Sequence, residues 1–323
     1  MQAIVQTQYG KSDVLKLSTM PTPEMDSQQV LVQVQAASIN PRDWLIRGGK
    51  YQMQFAVPKL PLILGSDACG KIIKVGRDVK NFKIGQEVMV MKNPRDGLGC
   101  YAQQVVVNEK SIALKPSNLT FEQGAAVPLC ALTAWQALKN KASLTSGQKV
   151  LIVGGSGGVG TFAIQIAKAL GAEVDTVCGP TSVALMKELG AQKIFDYKKD
   201  NFMSELKSYD VVFDTIGRHG FGPYMKALNK GGTYVSTIPS PQNLIAGIKT
   251  SIKSFFMKST KKVSMVLVQS NGKDLKEIAS LIEGGKVIPV IDSIFPLQDA
   301  SKAHDHSRSF RAKGKIILSM NQA

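Results

Sequence analysis

Apolar alternation and β-branched runs mark residues 3–6, 30–37, 70–75, 87–91 and 101–107, separated by Gly, Pro, Asn and Asp. The first third of the chain therefore predicts strands joined by turns. A short helix is expected after Asn40, with Pro41 at its first position, where a missing N–H breaks no hydrogen bond. From Phe121 the pattern changes, and residues 125–139 are helical in composition, leading to a turn at Ser146-Gly147. Alternating units follow: strands at 150–153, 174–178, 193–195, 211–214 and 233–237, with helices at 158–170, 182–189, 202–207 and 221–228 between them. Such a βαβ series implies a parallel sheet covered by helices. A further strand is expected at 263–268, and 287–318 returns to β character with one helix near 297–304. The expected architecture is α/β: a β-rich domain, residues 1–123 and 271–323, interrupted by a doubly wound nucleotide domain, residues 124–270.

The run Val150-Leu151-Ile152-Val153 leads into Gly154-Gly155-Ser156-Gly157-Gly158-Val159-Gly160, in which Gly155, Gly157 and Gly160 satisfy G-x-G-x-x-G. The motif follows a strand and opens a helix, the context in which it binds a dinucleotide. Glycines let the backbone approach a pyrophosphate, and the helix amides meet its charge. An NAD site usually has Asp or Glu at the end of the second strand for the ribose hydroxyls. Here that turn reads Thr176-Val177-Cys178-Gly179-Pro180-Thr181-Ser182, without an acid, and Asp175 lies too early, inside the strand. Small donors and exposed amides suit a 2′-phosphate, with Lys198 and Lys199 adding charge; Thr181-Ser182 also has the composition of a helix cap. NADP is the expected cofactor.

Composition narrows the class. With 323 residues, 44% of them hydrophobic and 20% charged, the chain can bury an ordinary core without disulfide or metal. There is no signal-peptide pattern at the N-terminus and no apolar run long enough for a transmembrane helix. Cys69, Cys100, Cys130 and Cys178 lack pair spacing, which reads as reduced thiols in a cytosol-like compartment. The formal charge of +16 fits a generally basic protein, an anionic membrane, nucleic acid or a phosphorylated ligand.

The motifs Ala37-Ser38-Ile39-Asn40-Pro41-Arg42-Asp43-Trp44, Leu64-Gly65-Ser66-Asp67-Ala68-Cys69-Gly70, Ala131-Leu132-Thr133-Ala134, the glycine loop, Leu189-Gly190-Ala191, Phe195-Asp196-Tyr197 and Lys313-Gly314-Lys315-Ile316-Ile317 span essentially the whole chain. Together they resemble the medium-chain dehydrogenase/reductase superfamily in its zinc-free quinone oxidoreductase branch. Cys178-Gly179, Asp196-Tyr197-Lys198 and Val290-Ile291-Asp292-Ser293 are similar to chloroplast-envelope quinone oxidoreductase homologues and alkenal/enone reductases. The resemblance implies a GroES-like catalytic domain and a Rossmann domain. It implies that Asn40 and Thr133 lie beside the nicotinamide, and that Ser156, Gly157, Gly158 and Val159 hold the pyrophosphate. Cys178, Gly179 and Ser182 would face the adenosine phosphate, with Tyr197 near it, and Arg311, Ala312 and Lys313 match a late segment that returns to the cofactor. The chain departs from relatives at Thr181, where Arg or Lys is frequent, and at Leu45, where many quinone reductases carry Tyr.

Zinc alcohol dehydrogenases of the superfamily hold their metal with thiolate and imidazole. The first ligand position falls near Asn40, and the usual Gly-His-Glu is Gly65-Ser66-Asp67; a four-cysteine lobe is absent from the sequence. No metal is expected, and His304-x-His306 reads as a solvated helix face. Cys69 and Cys130 read as core residues. Asp43 and Tyr51 are candidates to donate or relay a proton, beside the plainer readings of a charged helix face and a packed aromatic. With the hydride supplied by the cofactor, a conjugated carbonyl or quinone is a better acceptor than an unactivated alcohol is a donor.

Finally, no acidic residue occurs between Asp214 and Asp274. Within that stretch Leu244, Ile245, Ile248, Ile252, Phe255 and Phe256 recur at helical spacing, interleaved with Lys249, Lys253 and Lys258 and followed by Lys261 and Lys262. One reading is a helix lining the substrate pocket with Phe255 or Phe256; the other is a basic amphipathic surface for an anionic membrane. The expected enzyme is an NADPH-dependent quinone or enone reductase, a cytoplasmic homodimer with peripheral membrane contact at most. The alternatives are an NADPH-binding protein whose basic surface engages RNA or an acidic partner, and a simple carbonyl or alcohol dehydrogenase. No RNA motif or aromatic strand platform supports nucleic acid.

Overall fold

The computed structural model describes residues 1–50, 59–199, 201–257 and 260–320, and of 254–256 the backbone only. The chain divides into two compact units: Met1–Leu132 with Gln269–Gly284 and Pro289–Ala323, and Thr133–Val268 with Gly285–Ile288.

In the first unit the long strand Gln29–Ser38 organises a seven-stranded sheet. It pairs antiparallel with Asp67–Val75, Gln104–Asn108 and the late strand Lys315–Ser319. Glu87–Met91 and Ile112–Leu114 extend the sheet on one side, and Ile291–Pro296 closes the other. A smaller sheet joins Lys16–Thr19, Gln2–Gln6 and Leu62–Ile63. Val30, Val32 and Val34 point to one face by the period-two rule and enter the core with Ile72, Val88 and Val90. The register Ile317↔Ser38 and Leu318↔Ala37 matters most for chemistry, because it sets Lys315 beside Asn40.

The second unit holds a six-stranded parallel sheet in the order Ile194–Asp196, Glu173–Cys178, Lys149–Val153, Tyr209–Asp214, Leu228–Ser236, Lys262–Met265. Lys149–Val153 is central, and the chain reverses its winding direction on either side of it. Ligands of open parallel sheets bind at the carboxyl ends of the strands at such a switch point. The glycine loop occupies that place. Val150, Leu151 and Ile152 are fully buried, as expected for a strand covered on both faces.

The helical stretch expected at 125–139 is segmented. Phe121–Ala126 ends before Pro128, Pro128–Trp135 follows, and Gln136–Lys141 winds as a π-helix. The helix Gly272–Glu283, capped by Asn271, was absent from the sequence reading, although Leu275, Ile278, Ala279 and Ile282 have helical spacing and are buried.

Helix Pro241–Phe256 spans most of the acid-free stretch. Its packed face is small and polar. Asn243 is buried, Ala246 and Gly247 are half-buried, and Thr250 accepts a hydrogen bond from the Val263 amide at 3.1 Å. The large residues turn outward instead: Leu244, Ile245, Ile248 and Ile252 are 54%, 53%, 56% and 61% exposed. Lys249 and Lys253 are exposed on the same helix. The side chains of Phe255 and Phe256, and all of Lys258, lie outside the described residues.

Candidate active site

The nucleotide cradle is built by backbone. Gly154 has φ +83°, a left-handed turn that brings the chain off the strand. A Cβ on Gly160 would lie far inside contact distance of the Gly154 carbonyl oxygen and of Gly155, so only glycine lets the helix start so close to the strand. Gly157 is the N-cap of helix Gly158–Ala169 and offers no side chain to the first amides. Ser156, Gly157, Gly158 and Val159 are half-buried along this loop. Helix-start amides without a side-chain cap and the bare backbone fit a dinucleotide pyrophosphate.

At the end of the next strand, Tyr197 is 48% exposed, and its ring stands 3.3 Å from where a Cβ on Gly179 would lie. That close approach leaves an aromatic face beside a bare backbone turn. Lys198 and Lys199 are exposed next to it. Cys178 is buried, and burial raises its thiol to about 11, so its side chain is inert and only its backbone reaches the turn. Ser182 is also buried; it occupies the N-cap of helix Val183–Glu188 without a side-chain cap bond of its own. Asp175 cannot serve a ribose: its carboxylate accepts from Tyr209 Oη at 2.8 Å and from the Lys193 amide at 3.0 Å, and pairs with Lys149 at 3.0 Å.

In the first unit a buried polar cluster surrounds Asn40. The Asn40 side chain donates from Nδ2 to Asp67 Oδ2 at 2.9 Å and accepts at Oδ1 from Lys315 Nζ at 2.6 Å. Both ends of its amide are thus engaged within the protein, and the residue is fully buried. Asp67 also accepts from Ser38 Oγ and from the Leu129 amide, each at 2.9 Å.

Asp43 corrects the reading of a charged helix face. It is buried and closes a capping box at helix Pro41–Arg47, accepting the Asn40 amide at 2.8 Å. Tyr101 Oη donates to it at 2.8 Å and Ser66 Oγ at 3.2 Å, while Arg42 donates to Ser66. Burial raises the Asp43 pKa, against the opposing pull of the Arg42 charge and the Tyr101 hydroxyl. Beside Asp43 and Ser66 lies a small recess of about 20 Å³, lined by Ile46, Leu62, Leu64 and Asn93 among others, with room for about one water molecule.

His304 is likewise corrected: it is fully buried rather than on a solvated face. Arg47 can only donate, so its contact of 3.1 Å with Nδ1 makes that nitrogen the acceptor. Nε2 then carries the proton and faces Tyr101 Oη at 3.3 Å. The resulting chain of donors runs Arg47, His304, Tyr101, Asp43. Burial, then the Arg47 charge, lowers the His304 pKa to about 3. His306 instead pairs with Asp292 at 2.7 Å.

Thr133 is buried in helix Pro128–Trp135. Arg311 is exposed and Ala312 and Lys313 are half-buried on the turn before the last strand, where the Lys313 amide donates to Asp292 at 2.8 Å. Tyr51 lies outside the described residues. Sequence reasoning singled out neither Lys315 as a partner of Asn40 nor Tyr101; a buried lysine within a strand was the available signal for the first.

Comparison with known proteins places this arrangement. The alcohol dehydrogenase GroES-like domain matches residues 26–117, and the zinc-binding dehydrogenase domain matches 189–318. The tomato (Solanum lycopersicum) 2-methylene-furan-3-one reductase is 35% identical over 98% of this chain and 79% of that protein. The chain belongs to the medium-chain dehydrogenase/reductase superfamily. Within it, the NADPH-dependent alkenal/one oxidoreductase of Arabidopsis thaliana is 34% identical over 98% of this chain and 79% of that one. The quinone oxidoreductase structure from Coxiella burnetii has 33% identity and a TM-score of 0.87, covering 99% of each chain.

One family description carries zinc, and the donors here do not fit it. The Asn40 amide is neutral and fully engaged, the Ser66 hydroxyl is tied between Arg42 and Asp43, and Asp67 already faces an ammonium at 3.5 Å. Among the described residues no group of three or more His, Cys, Asp or Glu side chains is placed to hold a metal.

Proposed function

We propose that this protein transfers hydride from NADPH to a quinone or to the conjugated double bond of an enone or enal, without zinc. The observation that carries the reading is an intact dinucleotide cradle in a chain whose zinc-ligand positions hold an amide, a hydroxyl and an ion-paired carboxylate. NADPH supplies the hydride; the chain binds it, orients the acceptor and excludes water. Ser156, Gly157, Gly158 and Val159 hold the pyrophosphate. Gly179, Ser182 and the Cys178 backbone receive the adenosine phosphate, with Tyr197 beside the base. Arg311, Ala312 and Lys313 complete the cofactor site. In this assignment the units Met1–Leu132 with Gln269–Gly284 and Pro289–Ala323 serve the acceptor, and Thr133–Val268 the cofactor.

The acceptor is received by the first unit, on the side of the Asp43 and Ser66 cluster. A conjugated carbonyl takes hydride at its β-carbon, and charge gathers on oxygen, where hydrogen-bond donors stabilise it. Asn40, which also fixes the turn that opens helix Pro41–Arg47, and Thr133 are assigned to the nicotinamide end, and Tyr51 is assigned to donating or relaying a proton. The protein works as a homodimer in the cytoplasm. The exposed face of helix Pro241–Phe256, with Lys249 and Lys253, supports reversible contact with an anionic membrane. Among the described residues no helix is long and apolar enough to cross one.

The test is product analysis. With NADPH and an enone the saturated ketone is expected, and a quinone should be reduced; formation of the allylic alcohol alone would overturn the reading. NADPH should exceed NADH in kcat/KM by on the order of a hundredfold, from two hydrogen bonds to phosphate at about 1.5 kcal/mol or more each. Equal values would remove the argument from the acid-free turn.

A further inference from the structure

Two separate pieces of chain deliver three oxygen atoms to one buried ammonium. Lys315 Nζ lies 2.6 Å from Asn40 Oδ1, 3.2 Å from the Ile39 carbonyl and 3.5 Å from Asp67 Oδ2. The Cys130 thiol lies beside them and donates to Asn40 Oδ1 at 3.8 Å. Lys315 is 2% exposed and Asp67 fully buried, so neither charge is compensated by water. A carboxylate, an amide oxygen and a backbone carbonyl face the ammonium together, with a thiol next to them, and such oxygens can also face a cation once the ammonium is gone.

We propose that Lys315 is a positioning residue that fills, as an ammonium, the place a metal ion would take among these donors. Its three N–H groups match the three oxygens. It neutralises Asp67, fixes which way the Asn40 amide points, and through Asp67 ties the Leu129 amide at the start of helix Pro128–Trp135 to the turn at Ser66. A buried carboxylate deprived of its counter-charge takes up a proton or a cation. Removing the ammonium therefore should leave a site that recruits a divalent ion, with release of the Cys130 proton when thiolate binds. This rests on the zinc-free reading above, and the test reads folding and cation binding rather than turnover.

Wild type, Lys315→Met and Asp67→Asn/Lys315→Met are melted in chelator and then in excess zinc. Lys315→Met should melt below wild type in chelator and recover several degrees with zinc. The double variant, a neutral pair of similar shape, should regain much of the lost stability and ignore zinc, as wild type does. Cobalt should give Lys315→Met a thiolate charge-transfer absorption that Lys315→Met/Cys130→Ser lacks. If Lys315→Met melts with wild type, or folds poorly and gains nothing from zinc or cobalt, the inference is overturned. Equal zinc binding by wild type would overturn the zinc-free reading as well, which distinguishes the two failures. Should Lys315→Met not yield soluble protein, a folded double variant supports the counter-charge role, and failure of both variants overturns it in favour of simple packing.

Discussion

Acidification should destabilise this protein through His304, and replacing that one residue should remove the effect. The imidazole is buried between the donor Arg47 and the acceptor Tyr101 Oη, and a second proton would sit on Nδ1, against the Arg47 guanidinium 3.1 Å away. Its folded pKa is lowered to about 3 from an unfolded value of 6.5. A group whose folded pKa is depressed lets the unfolded chain bind the proton first. Its contribution is therefore intact above 6.5 and is lost progressively as pH falls toward 3. Each pH unit in that window costs about 1.4 kcal/mol, so two units of acidification below the unfolded value cost about 2.7 kcal/mol. The neighbours that titrate or carry charge are Asp43, Tyr101, Arg47, Arg308 and Asp305. Asp43 acts in the opposite sense, because its raised pKa means that protonation relieves a burial cost. Both variants retain these groups, so their difference isolates the histidine. His304→Gln keeps an acceptor for Arg47 and a donor for Tyr101 but does not titrate. Urea unfolding at neutral pH and at two units below 6.5 should show wild type losing more stability than His304→Gln, by about 2.7 kcal/mol. Parallel losses in the two proteins would refute the assignment of His304 as a buried neutral acceptor.

Gly160→Ala should lower stability by about 1–3 kcal/mol through overpacking against Gly154 and weaken NADPH binding about tenfold or more, read by melting and by cofactor fluorescence; a variant that melts and binds like wild type would contradict the close approach of loop and helix. Wild type should co-sediment with anionic but not neutral vesicles at low salt. Removing Lys249 and Lys253 should weaken that binding about thirtyfold, at about 1 kcal/mol per lysine, with folding stability changed by about 0.5 kcal/mol or less. No binding by wild type even at low salt would end the membrane reading.

What the sequence made legible was local. The glycine loop is readable because backbone approach to a phosphate admits few residues other than glycine, and the four inner strands of the parallel sheet carry their own buried runs. Long-range partners were not readable. His304 meets Tyr101 and Arg47 across 203 and 257 positions, and Lys315 meets Asn40 across 275, so no window of sequence contains either pair. The alternation at His304 and His306 looked like an exposed polar face because the buried guanidinium and phenol that satisfy it come from elsewhere. For helix Pro241–Phe256 the period was right but could not say which face packs. Asn243, Ala246, Gly247 and Thr250 are small enough to approach strand Lys262–Met265 closely, and that closeness decided the orientation.

The strand Lys315–Ser319 also sets an order of events during synthesis. It lies inside the seven-stranded sheet, between Ile291–Pro296 and Gln29–Ser38, rather than at an edge. The parallel-sheet unit is nearly contiguous and has its strands once residue 265 is made, so it can fold while the rest of the chain is still on the ribosome. The first unit, although it is begun earlier, has to wait with the Ala36–Ser38 end of strand Gln29–Ser38 open on one side and Asp67 without its ammonium until Lys315–Ser319 is made. A ribosome that stalls or a protease that clips shortly before Lys315 would thus leave a finished nucleotide domain attached to a half-closed partner with an exposed strand edge, a ready target for chaperones and for aggregation.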